Sequence, residues 1–271
     1  MAAIKVQTLE KAPQARKSKT TKIISLFNEA GGVGKTTVTH NLGYHLALQG
    51  KRVLLIDMDP QASLTVFLGF NPFELDEAET ACASLLDKAP LPIRKNVCGM
   101  DVVLSNISLS RAEIGLVNLN FREGRLKEAM RPIHSDYDFI LIDCPPSLGQ
   151  LVVVSLMAAT HVLIPVECQF KAFMGSDALL FTIGNIKKFG NPNLKIAGFI
   201  PSKYASVNSQ DRRTLAAIQD QFGQAAPIYE PIPRLTAFAD ASEQRIPLVA
   251  YNSKSAGVKA FDSLAAQMDA L

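Results

Sequence analysis

The sequence predicts an α/β domain built on a doubly wound, mostly parallel sheet with helices on both faces. Two patterns carry that expectation. Short runs rich in leucine and β-branched residues recur along the chain almost without polar interruption, as strands covered on both faces require. Segments of helix length separate those runs, which is the alternation of βαβ units. Composition agrees: of 271 residues, 48% are hydrophobic and 20% charged, enough for a sizeable core and against a mostly disordered chain.

Residues 1–21 are polar and basic, without apolar periodicity, and are expected to form a flexible arm. Residues 22–271 then make a single domain. Its strands are expected at Ile23–Phe27, Arg52–Ile56, Phe139–Ile142, Val162–Val166 and Lys195–Ile200. The first helix is expected at Thr36–Leu48, with Gly50 as its stop. Further helices follow at Arg122–Met130, Gly149–Ala159, Ala172–Phe189, Ser209–Phe222 and Ala256–Met268. Met174, Phe170, Phe173, Phe181 and Phe189 read as helix core. No internal repeat, low-complexity block or second domain is visible.

Charge and cysteine usage exclude several classes of function. The net charge is +3, yet Lys5, Lys11, Arg16, Lys17, Lys19 and Lys22 face only Glu10 in residues 1–22. The remainder is slightly acidic, so nucleic-acid contact must come from a local patch. Cys82, Cys98, Cys144 and Cys168 form no C-x-x-C pair, and His40, His45, His134 and His161 have no ligand spacing. Neither a zinc site nor a disulfide framework is expected, which suits a reducing cytoplasm. Cys144 and Cys168 read as packing residues beside strand ends. The basic N-terminus lacks the apolar segment of a signal peptide. Leu151–Val166 is interrupted by Ser155, Thr160 and His161 and is too short to span a bilayer.

The first expected strand runs into Asn28-Glu29-Ala30-Gly31-Gly32-Val33-Gly34-Lys35-Thr36-Thr37. Glycines there let several backbone N–H groups converge on one anion, and the following helix adds its positive end. Lys35 would sit on the β- and γ-phosphates and the Thr36 hydroxyl on Mg²⁺. The strict form of this phosphate loop wants glycine at position 29, where this chain has Glu29, so the match is to the deviant form. Two carboxylate-bearing strand ends follow: Asp57-Met58-Asp59-Pro60-Gln61 and Asp143-Cys144-Pro145-Pro146. Ligands bind at such carboxyl ends in open α/β sheets. A carboxylate there can hold a metal through water, orient an attacking water, or simply cap a turn.

These three motifs make the chain similar, over nearly all of residues 22–270, to the ParA branch of the ParA/MinD family of deviant-Walker P-loop ATPases. Pro165-Val166-Glu167-Cys168 and Ile232-Pro233-Arg234 add weaker support. The resemblance implies the P-loop NTPase fold, ATP and Mg²⁺ as cofactors, and an ATP-bound sandwich homodimer. It further implies non-specific binding to nucleoid DNA and hydrolysis stimulated by a ParB-like adaptor, so that a plasmid, chromosome or other cargo is positioned. By resemblance Gly31, Gly32, Val33, Gly34, Lys35, Thr36, Thr37, Pro233 and Arg234 bind ATP. Thr36 and Asp57 stand on the metal side, Asp143 is the Walker B residue, and Asp59 is the hydrolytic aspartate.

The family's defining lysine falls where this chain has Ala30. In the family it crosses to the partner's phosphates, a task a methyl group cannot perform. Either ATP-dependent dimerisation is lost, leaving an ATP-binding scaffold with little turnover, or another cation substitutes. Lys171 is the candidate, just past the strand ending at Val166. Absence of that lysine also resembles the carboxysome-positioning McdA-like branch, whose adaptor is McdB-like. DNA contacts would come from C-terminal basic residues such as Lys187, Lys188, Arg213 and Arg245. A MinD-like membrane helix is disfavoured because Lys259 is followed by Asp262 and Asp269, which marks a packing helix. A ligase-type metabolic enzyme ranks last, since nothing outside the phosphate elements suggests a substrate pocket.

Overall fold

The computed structural model describes residues 21–169 and 176–271. Its strands are β1 (Lys22–Leu26), β2 (Val53–Asp57), β3 (Ile93–Val97), β4 (Met100–Val103), β5 (Phe139–Asp143), β6 (His161–Glu167) and β7 (Lys195–Ser202). They form one sheet in the order β3-β4-β2-β5-β1-β6-β7. All neighbours are parallel except the β3–β4 pair at one edge. The doubly wound fold is thus present, with the five expected strands in place.

The same strands bury both faces because their side chains alternate. Leu54, Ile56, Ile140 and Ile142 point into one core, while Val53, Leu55, Phe139 and Leu141 point into the other. The first core is covered by α3 (Ala81–Asp87), α4 (Leu109–Leu116), α5 (Arg125–Met130), α6 (Gln150–Ala158), α7 (Ser176–Phe189) and α8 (Ser209–Phe222). Phe199 of β7 stacks there on Phe222, with ring centroids 4.6 Å apart. The second core is covered chiefly by α1 (Lys35–Leu48) and α11 (Ala256–Asp269), flanked by α2 (Ser63–Phe67), α9 (Ala237–Glu243) and α10 (Leu248–Tyr251). Val258, Phe261, Leu264 and Met268 of α11 are buried, so this is the packing helix that its acids indicated. Among the described residues no helix is long and apolar enough to cross a membrane.

Three expectations need correction. The β3–β4 hairpin was not expected, because Arg94, Lys95 and Asn96 are exposed and break any apolar run. Its two-residue turn, Cys98-Gly99, has positive φ at both positions (50° and 77°), the backbone a tight hairpin prefers. The short helices α2, α3, α4, α9 and α10 were also missed. Phe181 and Phe189 are 71% and 76% exposed and are not core; Leu179 and Ile183 carry the buried side of α7. Phe170, Phe173, Met174 and Lys171 lie outside the described residues, as does the arm up to residue 20.

At the amino ends of the strands, Arg52 makes a two-pronged pair with Asp138, Nε to Oδ2 at 3.1 Å and Nη2 to Oδ1 at 2.9 Å. Close by, Lys22 at the start of β1 donates to the last carbonyls of α11, Met268 O at 3.1 Å and Asp269 O at 2.6 Å. Lys51 pairs with the Asp269 carboxylate at 2.6 Å.

Candidate functional site

The opposite, carboxyl end of the sheet carries the site. β1 leads into residues 27–34, and this loop is fastened on several sides. The Asn28 amide donates to Pro165 O of β6 at 2.7 Å and its side-chain oxygen accepts from Ala30 N at 2.9 Å. Ser202 at the end of β7 donates to Val33 O at 2.7 Å. Gly31 runs beside Pro146, whose Cβ would lie 3.9 Å from a Cβ placed at 31. Gly32 and Gly34 have φ of 73° and 95°, the left-handed backbone that aims N–H groups inward before α1 begins. Glu29, in place of the strict pattern's glycine, accepts from the Thr182 hydroxyl of α7 at 3.3 Å.

Lys35 opens α1 and is nearly buried. Its ammonium donates to Asn28 O at 2.8 Å and Ala30 O at 2.9 Å, so it is held across the loop's mouth. Burial lowers its pKa, opposed by the charge of Asp143. An anion entering the loop would meet a positive group already in position.

β2 and β5 are paired in register at Asp57 and Asp143, so the two strand-end carboxylates stand side by side and both are buried. Asp143 accepts from the Thr36 hydroxyl at 2.7 Å and the Thr39 hydroxyl at 3.2 Å. Asp57 accepts from Thr65 N at 2.9 Å, the Thr65 hydroxyl at 2.8 Å and Asp59 N at 3.1 Å. Burial pushes the pKa of both carboxyls up. The charge of Asp143 adds to the rise at Asp57; Thr36 pulls Asp143 back and the charge of Asp59 raises it. Asp59 is half-buried, its carboxylate accepting from Gln61 N at 2.9 Å.

Two buried carboxylates and a hydroxyl form a hard-oxygen donor set beside a cationic loop, which fits a magnesium ion. Among the described residues no group of three or more His, Cys, Asp or Glu could hold a metal by itself. An ion here would share its shell with phosphate oxygens and water, as magnesium usually does.

Beside the loop opens a cleft of about 370 Å³, lined by Val38, Phe67, Ile232, Pro233 and Phe238 among others, with Lys203 and Arg234 also in its wall. Pro233 and Arg234 are therefore adjacent to the phosphate loop through Gly34 and Thr37, which line the same cleft. Phe67 and Phe238 went unnoticed in the sequence, since neither sits in a recognisable motif. Lys203 likewise belongs to no recognisable motif. Its ammonium would lie 3.9 Å from a Cβ at Gly32 and pairs with Glu167 at 3.4 Å.

The four residues singled out for DNA contact are all exposed, and the fold divides them. Lys187, Lys188 and Arg213 belong to α7 and α8 on one face of the sheet, whereas Arg245 follows α9 on the other. Arg245 donates to Gly69 O at 3.3 Å.

A phosphate loop on a doubly wound sheet, with paired aspartates at neighbouring strand ends, defines a P-loop nucleotide-binding protein. The chain belongs to the ParA/MinD family of P-loop ATPases; residues 21–196 match the family model AAA_31, an AAA domain. It is 36% identical over 253 residues to the sporulation initiation inhibitor protein Soj of Bacillus subtilis, covering 92% of this chain and 98% of that one. Cobyrinic acid a,c-diamide synthase of Mycobacterium smegmatis with bound ADP and magnesium superposes with a TM-score of 0.80 at 33% identity, covering 91% and 93%. An ATP complex of a Cyanothece McdA variant gives a TM-score of 0.83 at 25% identity, covering 92% and 96%.

Proposed function

We propose that this protein is a magnesium-dependent ATPase of the ParA type. In this reading ATP binding drives a homodimer that holds nucleoid DNA without sequence preference, and a ParB-like or McdB-like adaptor stimulates hydrolysis to position a cargo. Such a protein works in the cytoplasm, on the nucleoid. The observation that carries the reading is Lys35 pinned across the loop by Asn28 O and Ala30 O, beside the Thr36–Asp143 bond.

The proposed roles rest on the chemistry of each residue and, among the described residues, on its position. Backbone N–H groups of Gly31, Gly32, Val33, Gly34, Thr36 and Thr37 cradle the phosphates, with Lys35 on the β- and γ-oxygens. Thr36 and Asp143 would hold magnesium, with Asp57 behind them. The chemistry supplied by bound magnesium is neutralisation of charge on the phosphate oxygens. Asp59 orients the attacking water. The apolar cleft beside Pro233 and Arg234 takes the adenine base. Lys171 supplies the cation that Ala30 cannot, and Lys203 offers a second one from beside Gly32. Lys187, Lys188, Arg213 and Arg245 are the DNA candidates, and residues 1–21 form a basic arm attached to one ATPase domain, 22–271. The McdA-like subtype is favoured by Ala30, as is a second reading, an ATP-binding scaffold with little turnover. A synthase function, suggested by the Mycobacterium smegmatis relative, requires a second substrate cleft beside the phosphates.

The test is phosphate release with ATP and magnesium, with and without random-sequence duplex DNA, alongside light scattering for dimers. Turnover should exceed that of Asp59→Ala. Lys35→Ala, which loses charge-assisted contacts of roughly 1.5–3 kcal/mol each, should bind ATP at least tenfold more weakly. DNA affinity should require ATP and fall steeply with salt, and Arg213→Ala should flatten the log–log slope by about 0.9. Turnover equal to Asp59→Ala under every condition would select the scaffold reading.

A further inference from the structure

The segment 144–149, between Asp143 and α6, passes beside the phosphate loop, with Pro146 Cβ 3.9 Å from where a Cβ on Gly31 would stand. Its upstream end is fixed by Thr36 and Thr39 on Asp143. Its downstream end is fixed from elsewhere in the fold. Helix α6 follows the N-cap residue Gly149, which offers no side-chain cap, and its first N–H groups have no helical carbonyl to bond. Glu113 of α4 supplies both acceptors: Oε1 takes Gln150 N at 2.5 Å and Oε2 takes Leu151 N at 3.0 Å. A carboxylate at the positive end of a helix is favourably placed, and the bonds are charge-assisted.

Gly149 is part of the same device. A Cβ at that position would fall inside the Glu113 carboxylate, so the cap and a side chain at 149 exclude one another. Arg122 adds a bond from Nε to the Gln150 side-chain oxygen at 3.1 Å.

We infer that Glu113 is a positioning residue for hydrolysis: by clamping the start of α6 it sets the 144–149 segment, and through Pro146 the phosphate loop, without touching nucleotide. The inference rests on the hydrolysis reading above for its kinetic consequence. Its structural consequence is independent of turnover.

The experiment uses the full chain and reads both. Amide hydrogen exchange at Cys144, Gln150 and Leu151 in the nucleotide-free protein should quicken at least tenfold in Glu113→Ala, including Cys144, whose N–H donates to Leu26 O at 3.3 Å and which Glu113 does not bond. Glu113→Gln, which keeps one acceptor, should lie between. With ATP and magnesium, kcat of Glu113→Ala should fall about fivefold while KM changes less than twofold. Gly149→Ala should reproduce both effects by displacing the carboxylate. The double variant should be no worse than Glu113→Ala alone, because the shortened side chain leaves room for the methyl.

Faster exchange confined to Gln150 and Leu151 with kcat unchanged would reduce Glu113 to a helix cap and overturn the proposal. Additive losses in the double variant would overturn it too. A wild type that releases no phosphate would sink the hydrolysis reading instead; unchanged Cys144 exchange in both single variants would then still defeat the positioning role.

Discussion

The loops that follow β2 and β5 leave the sheet side by side, each behind a buried aspartate, yet they are held in opposite ways. The β2 loop is closed chiefly by its own residues: Asp57, the last residue of its strand, accepts from Asp59 N and both donors of Thr65, and Ser105 adds a bond from its hydroxyl to Asp59 O at 2.6 Å. The β5 loop is closed by others, with Thr36 and Thr39 on Asp143 and Glu113 on the helix that ends it. A loop closed mainly from within depends less on its neighbours. A loop closed by two other segments responds to both of them, which suits the one nearer the phosphate cradle.

The largest expected effect breaks the side closed mainly from within. Thr65 is fully buried, and its hydroxyl both donates to Asp57 and accepts from Ser105 N at 2.8 Å. Thr65→Val keeps the shape and strands both partners. Unfolding in urea should show a loss of about 2–3 kcal/mol. A loss below about 0.5 kcal/mol would mean that Asp57 does not hold this loop.

Next comes pH. The Asp57 carboxyl is pushed up to about 8 and that of Asp143 to about 7, chiefly by burial. Between the ordinary carboxylate range and those values the folded protein holds protons that the unfolded chain has released. Stability from these groups is therefore lost as pH rises through that window, by at most about 1.4 kcal/mol per pH unit per carboxyl. Buried His40, held down to about 4, acts the other way but only below its ordinary value of 6.5. Urea midpoints of the ligand-free protein at pH 6.5 and 7.5 should fall with rising pH, and Asp57→Asn should reduce the slope. Parallel slopes for the two proteins would show that Asp57 is ionised throughout.

The smallest effect tests the dependent side at its edge. Arg122→Ala removes the side-chain bond to Gln150, with the bond from Nη1 to Val117 O at 2.8 Å and the partly exposed pair with Glu123, and leaves the Glu113 carboxylate in place. It should cost under about 0.5 kcal/mol in the same unfolding measurement. A loss as large as that of Thr65→Val would make Arg122, not Glu113, the main fastening of the β5 loop.

The contrast also explains what could be read from the sequence. Asp57, Asp59, Lys35 and Thr36 sit in short local patterns directly after apolar strands, so type and spacing were enough to place them. Glu113 lies 37 residues from Gln150 on a helix of ordinary composition, and no local pattern pairs them. Phe67, Phe238 and Lys203 reach the cleft from three separate elements, again without a shared motif. The β3–β4 hairpin stayed hidden because an edge strand with exposed Arg94 and Lys95 lacks the continuous apolar run that marked the central strands. Phe181 and Phe189 misled for the converse reason: hydrophobic residues in a helix need not be on its buried side, and here Leu179 and Ile183 are.

Lys22, reaching from the start of β1 to the final carbonyls of α11, brings residues 22 and 269 together at the end of the sheet remote from Lys35. Fluorescent proteins or surface tethers joined before residue 21 or after residue 271 would thus depart from one pole of the molecule and leave the nucleotide pole clear. The same proximity permits a circular permutant, with a short linker from residue 271 to residue 21 and new ends opened in an exposed surface turn.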